Sequence, residues 1–304
     1  MPTAVVNGLT LAYETRGDPA ASPLVLIMGL GMPYVFWPDG FVDGLVDSGF
    51  RVVCFDNRDC GHSEKLAYGP RPNLPLAIGR ALLRLKVRAP YTLADMAKDV
   101  IGLLDTLGIV RTHVVGVSMG GMIAQVMTAR FPDRVTSLTS IMASSGNPGV
   151  SLGKPGAVRA VLRRPDPHDT DAVVAHLVRL FGVIGSPSFV TEPALLRGMC
   201  ERVARYGYYP AGTARQLLAI LAGGDRRPEL ARLRTPTLII HGTRDPLMPI
   251  AAGRDTARHI PGARLLEFEG MGHDLPPALT PRIVDAIARH CRDAEASYKA
   301  SGSA

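Results

Sequence analysis

Hydrophobic positions along this chain follow two alternating rhythms. Short apolar or β-branched runs, Pro23 to Met28, Phe50 to Asp56, Val114 to Val117, Val135 to Met142, Thr237 to His241 and Arg264 to Phe268, read as strands. The first is apolar at nearly every position, as a strand covered on both faces requires. Between these runs the apolar residues recur every three or four positions. That spacing predicts helices over Phe41 to Ser48, around Met96, Val100, Leu103, Leu104 and Leu107, around Met122, Ile123, Val126 and Met127, and over Ile250 to His259 and Thr280 to His290. Thr92 with Asp95 forms a capping-box pattern, Gly108 a C-terminal stop, and Phe131-Pro132 a second stop. Asn7-Gly8, between Ala4–Val6 and Leu9–Tyr13, tolerates positive φ at both turn positions and predicts a hairpin.

Strands alternating with helices predict an α/β fold on a mostly parallel sheet, with ligand chemistry at its C-terminal edge. The alternation stops across residues 146–234, where the pattern is helical only. Asp169 or Thr170 would cap Ala172 to Phe181, Thr191 with Pro193 would open Ala194 to Arg205, and Thr213 to Leu221 is amphipathic. We read residues 146–234 as a helical cap inserted into a core made of residues 1–145 and 235–304. The small, polar tail from Ala294 to Ala304 is expected to fray.

Charge sharpens this division. The chain of 304 residues carries a formal +7, and 46% of it is hydrophobic, ample for a sizeable core. Residues 146–234 hold 13 Lys and Arg against 7 Asp and Glu, and residues 66–94 hold 5 against none, so the cationic excess lies in two segments expected to cover the site. Aromatic and basic residues do not interleave, which argues against nucleic acid. An anionic or membrane-associated substrate fits better. Leu76 to Val87 could lie on a membrane surface, although a solvated lid helix is the plainer account. Leu24 to Met28 is far too short to span a bilayer and no segment reads as a secretion signal, so a cytoplasmic protein without membrane insertion is expected. Cys54, Cys60, Cys200 and Cys291 show neither disulfide nor zinc spacing and are expected as reduced thiols.

Candidate chemistry centres on Gly116-Val117-Ser118-Met119-Gly120, where a buried strand passes into a helix through almost no intervening chain. Such a turn strains the serine backbone, demands small neighbours, and holds the hydroxyl at the C-terminal edge of the sheet. A serine at neutral pH needs a base, and the base needs an orienting acid. His273, in the glycine-flanked loop after Arg264–Phe268, is the expected base. Asp245, in the loop after the strand ending at His241, is the expected acid. His241 is expected as a strand-end residue and Asp274 as a loop residue pointing away; His62, His113 and His259 lack a comparable loop. The oxyanion donors are assigned to the backbone N–H groups of Leu30 and Met119. Pocket walls are expected from Leu30, Met32, Trp37 and Met119, with Phe181, Tyr206, Tyr208 or Tyr209 from the cap.

The elbow, Arg244-Asp245-Pro246, Gly270-Met271-Gly272-His273 and the run Phe55-Asp56-Asn57-Arg58-Asp59-Cys60-Gly61-His62-Ser63 together resemble the α/β-hydrolase superfamily, over nearly the whole chain. Within it, Ile27-Met28-Gly29-Leu30-Gly31, Asp56-Asn57-Arg58-Asp59 and Pro90-Tyr91-Thr92-Leu93 with Asp95-Met96 are similar to the branch containing aclacinomycin methylesterase and related actinobacterial lipase/esterases. The resemblance implies a mostly parallel eight-stranded sheet flanked by helices, a cap, and Ser-Asp-His hydrolysis of a small-molecule ester, such as a methyl ester of a polyketide-like or other hydrophobic compound. It implies no metal or organic cofactor. Met28 departs from the pattern, because a histidine usually precedes the oxyanion glycine; that histidine is generally structural, so the change bears on loop support. It argues against the C–C hydrolase and cofactor-free perhydrolase branches. Hydrolysis of a lactone, thioester or C–C bond by the same triad, and ligand binding without turnover, stand as the alternatives.

Overall fold

The computed structural model describes residues 1–66, 73–83 and 85–302. The chain begins with strands β1 (Thr3–Val6), β2 (Leu9–Arg16) and β3 (Ser22–Ile27), then helix α1 (Asp39–Asp47), β4 (Phe50–Phe55), α2 (Leu74–Leu82) and α3 (Leu93–Thr106). It continues through β5 (Thr112–Val117), α4 (Met119–Arg130) and β6 (Val135–Ile141) into five helices, α5 (Pro155–Leu162), α6 (Thr170–Ile184), α7 (Pro193–Gly207), α8 (Pro210–Gly223) and α9 (Arg227–Leu230). Strand β7 (Thr237–Gly242), α10 (Ile250–His259), β8 (Arg264–Phe268) and α11 (Thr280–Gly302) complete the chain.

Among the described residues the strands form one eight-stranded sheet in the order β1-β2-β4-β3-β5-β6-β7-β8. The β1/β2 and β2/β4 pairs are antiparallel, and β4, β3, β5, β6, β7 and β8 run parallel. Asn7 and Gly8 both have positive φ, which closes the first hairpin with Val6 opposite Leu9. Successive residues of β3 and β5 face opposite cores, as a two-residue period requires. Leu24, Leu26 and Val115 pack with Phe41 of α1 and Ile287 of α11. Val25, Ile27 and Val114 pack with Val100 of α3 and Ile123 of α4. Each such side chain contributes roughly 1.5–3 kcal/mol by leaving water. Parallel pairing from β5 through β8 is what brings the C-terminal ends of β5, β7 and β8 to one rim of the sheet.

The Thr92–Asp95 capping box is formed in both directions and opens α3. Two expectations are corrected and two short helices are added. The N-cap of α7 is Glu192 rather than Thr191, its carboxylate accepting the amides of Ala194 (3.1 Å) and Leu195 (2.9 Å). Helices α5 and α9 have no counterpart in the periodicity, because one has eight residues and the other four, too few for a stripe to repeat. The tail continues α11 as far as Gly302: Ala294 is buried, Glu295 meets His113 at 3.0 Å, and the Arg111 guanidinium lies 4.1 Å from the Tyr298 ring. Ser303 and Ala304 lie outside the described residues, as do Arg71 and Arg84 of the basic stretch. Cys54, Cys60, Cys200 and Cys291 are unpaired and buried. Among the described residues no helix is long and apolar enough to cross a membrane.

Candidate active site

Between Val117 of β5 and Met119 of α4 stands one residue, Ser118, at φ 55 and ψ −119. A side chain in that region is strained, and the surroundings over-determine it. Ser118 N–H donates to Ile141 O at 2.9 Å, and its carbonyl accepts Met122 N–H at 3.1 Å. The flanking glycines have direct steric causes. A Cβ on Gly116 would stand 2.2 Å from Gly120 O, and one on Gly120 would stand 2.0 Å from Ile27 O. Both obstacles are backbone atoms that no rotamer change can move.

Residues from three loops converge on this serine. His273 Nε2 lies 3.0 Å from Ser118 Oγ, and its Nδ1 lies 2.6 Å from Asp245 Oδ2. The other Asp245 oxygen accepts the amides of Leu247 (2.8 Å) and Met248 (2.7 Å), and His273 N–H donates to Ile184 O at 2.7 Å. A carboxylate fixed this way assigns the imidazole proton to Nδ1, which leaves the Nε2 lone pair facing the hydroxyl. His241 stands beside them with Nε2 3.7 Å from Asp245 Oδ2 and 2.8 Å from Met248 O. Burial lowers its pKa, so it is a neutral donor to that carbonyl and no rival cation for Asp245. Asp274 bonds the Ser186 hydroxyl instead of His273, and Ser186 Oγ accepts Gly272 N–H at 2.8 Å. Burial pushes the Asp274 carboxyl upward.

The β3 loop approaches from the other side. A Cβ on Gly29 would lie 3.4 Å from Ser118 Cβ, so this loop backs directly onto the serine. Among the described residues, neither Leu30 N–H nor Met119 N–H donates to a protein acceptor. Sequence reasoning missed what holds the loop. Gly31 N–H donates to Gln216 Oε1 at 2.8 Å, Gln216 Nε2 donates to Arg58 O at 2.8 Å, and Asn57 Nδ2 donates to Met28 O at 3.0 Å. Next to Gln216 on α8, Arg215 grips Asp59 through two hydrogen bonds of 2.8 and 2.6 Å. The one sign of this in the sequence is Met28, which leaves the loop without the usual histidine.

Ser118 and His273 open into a cavity of about 1140 Å³. Leu30, Met32, Phe181 and Tyr208 border it. Trp37 does not: its ring stacks on Phe41 at 5.0 Å in the core beneath the sheet. Nor does Tyr206, whose hydroxyl donates to Asp56 at 3.0 Å while its ring stacks on His62 at 4.0 Å. Tyr209 turns to Arg215, and the Met119 side chain is buried with α3. Lys86, Arg226, Arg227 and Arg244 border the cavity, against the carboxyls of Asp225 and Asp274. Arg226 is buried and bonds neutral acceptors, Ser144 O at 2.5 Å, Gly224 O at 3.3 Å and Gln125 Oε1 at 3.4 Å. Burial takes its pKa down to about 10, which still leaves a cation at neutral pH. Among the described residues no group of three or more His, Cys, Asp or Glu is placed to hold a metal ion.

The sequence pattern of the alpha/beta hydrolase fold family matches residues 22–276. The rhodomycin D methylesterase DnrP of Streptomyces peucetius is 30% identical over 97% of this chain and 99% of its own. Among solved structures, the enol-lactonase of Burkholderia xenovorans superposes with a TM-score of 0.71 at 25% identity, covering 97% of this chain and 100% of that one. The meta-cleavage product hydrolase of Pseudomonas fluorescens superposes with a TM-score of 0.75 at 20% identity, over 97% and 98% of the two chains.

Proposed function

This chain belongs to the alpha/beta hydrolase fold family, and on that premise we propose that it is a carboxylic ester hydrolase in which Ser118, His273 and Asp245 form an acyl-transfer triad. The observation that carries the reading is the continuous contact from Ser118 Oγ through the His273 ring to Asp245, at 3.0 and 2.6 Å. His273 Nε2 takes the Ser118 proton as Oγ attacks the ester carbonyl, and Asp245 stabilises the imidazolium. The tetrahedral oxyanion is held by the N–H groups of Leu30 and Met119, an arrangement worth roughly 10²–10³ in turnover per donor. His273 protonates the leaving alcohol. It then deprotonates a water that attacks the acyl-enzyme, releasing the acid and restoring Ser118.

For the substrate, support comes from the cavity and the methylesterase relatives. A cavity of about 1140 Å³ with Leu, Val, Met and Phe on its walls suits a bulky apolar acyl part. The reading is a small leaving alcohol, methanol, on a large hydrophobic acid, with residues 146–234 acting as the cap. The test is hydrolysis of methyl, butyl and benzyl esters of a polycyclic aromatic acid, alongside a lactone and a thioester. Fastest turnover of the methyl ester supports the reading. Opening of the lactone or thioester with no hydrolysis of any acyclic ester would overturn it.

A further inference from the structure

Large apolar side chains left in solvent are concentrated around the mouth of the cavity. Leu82, Leu85, Leu152, Val183 and Val190 are all exposed and all border it. Isolated exposed leucines are ordinary, but a ring of them around an opening is not. Helix α2 forms one side of this ring. Its Leu74 and Ala77 pack on Ala214 and Leu218 of α8, its Ile78 and Ala81 turn to the cavity, and Leu76 and Leu83 point outward with 59% and 72% of their surface exposed. Leu76, Arg80 and Leu83 follow at helical i, i+4, i+7 spacing and share that outer face.

On the α2 and α5 sides of the ring the sequence carries charge of one sign, while Asp225 and Asp274 border the cavity elsewhere. Residues 66–94 hold five basic and no acidic residues, and the described Arg80, Lys86 and Arg88 are exposed. Arg80 Nε donates to Lys86 O at 2.9 Å, which draws the basic residues together. Helix α5, bordering the cavity with Val158, Val161 and Leu162, lies in a second such stretch: residues 146–165 hold Lys154, Arg159, Arg163 and Arg164 and no acid, which first appears at Asp166. Outward leucines flanked by unopposed cations match an interface that is negatively charged outside and apolar beneath.

We propose that this rim docks the protein on an anionic lipid surface, with α2 lying at headgroup level and the cavity mouth opening toward the acyl phase. Docking is independent of the chemistry at Ser118. That an apolar ester passes from the lipid into the cavity rests on the ester-hydrolase reading. In water such a substrate would be scarce and aggregated; at the surface it meets the mouth directly.

The test is co-sedimentation of the full chain with vesicles of phosphatidylglycerol and, separately, of phosphatidylcholine. The wild type sediments with the anionic vesicles and not with the zwitterionic ones, and added salt releases it. Leu76→Asp with Leu83→Asp, and separately Arg80→Glu with Arg88→Glu, each lower partitioning about tenfold or more, since a basic residue at such a surface is worth roughly fivefold. Leu76, Leu83, Arg80 and Arg88 do not border the cavity, so circular dichroism and hydrolysis of a short, water-soluble ester stay at wild-type levels in both variants. Failure to sediment with phosphatidylglycerol, equal sedimentation with phosphatidylcholine, or wild-type binding by both variants overturns the proposal. So does a dimer that the leucine variant abolishes while no lipid is bound. Loss of ester hydrolysis with vesicle binding intact would count against the ester reading alone.

Discussion

The amide of Gly31 donates a 2.8 Å hydrogen bond to the side chain of Gln216, so helix α8 holds the loop that carries Leu30. Gln216 is fully buried and its other end is tied to Arg58 O, so the acceptor cannot drift. Gln216→Leu is expected to lower kcat roughly tenfold while KM for a short ester changes little, because the loop loses its register where charge develops. Gln216→Glu keeps the acceptor for Gly31 and should fall between. Steady-state kinetics on a p-nitrophenyl ester decide this, and an unchanged kcat in Gln216→Leu would remove the positioning role.

Packing at the elbow makes a second prediction. A methyl group on Gly120 would lie 2.0 Å from Ile27 O and 2.8 Å from Met28 O, both backbone. Gly120→Ala should therefore cost about 3 kcal/mol or more in urea unfolding. Gly198 lies inside α7 with nothing within 4 Å of its added Cβ, and Gly198→Ala should gain up to about 1 kcal/mol. Equal effects at the two positions would contradict the steric account.

Acid stability is linked to His290. Burial takes its pKa down to about 4, and its Nε2 donates to Leu138 O at 3.2 Å. In the unfolded chain the ring titrates near ~6.5, so the neutral ring's contribution is fully present above that pH and is lost as pH falls toward about 4, about 3 kcal/mol in all. The carboxyls of Asp56, Asp99 and Asp274, raised by burial, act in the opposite direction. The readout is thus the difference between wild type and His290→Gln: the variant should lose less stability between pH 7 and pH 4.5. Parallel curves would exclude His290 as the titrating group.

Charge along the cavity bears on substrate choice. Lys86, Arg226, Arg227 and Arg244 outnumber the carboxyls of Asp225 and Asp274, and burial favours the neutral form of the latter. An ester bearing a second, free carboxylate should show a higher kcat/KM than its neutral analogue at low ionic strength, with the advantage shrinking as salt rises. A preference indifferent to salt would sink this prediction.

Much of this arrangement is legible in the sequence, for identifiable reasons. Strands buried on both faces leave apolar runs, and the spans Ile250–His259 and Arg264–Phe268 coincide with α10 and β8. Ser118, Asp245 and His273 stand in short loops after strands, and a parallel sheet brings such loops to one edge. The aromatics were harder: apolarity says that Trp37 and Tyr206 are covered, and not which surface covers them. Gln216 was out of reach, because its partner is 185 residues away and nothing local marks the pair.

Whether Ser118 is the nucleophile is decided by labelling with a fluorophosphonate probe, wild type against Ser118→Ala. The wild type should be labelled stoichiometrically at Ser118, with loss of ester turnover in step. In Ser118→Ala both labelling and turnover should fall to background while the fold is retained, since the triad acts as a unit. Labelling that persists in Ser118→Ala, or ester hydrolysis that survives it, would rule out Ser118 as the nucleophile.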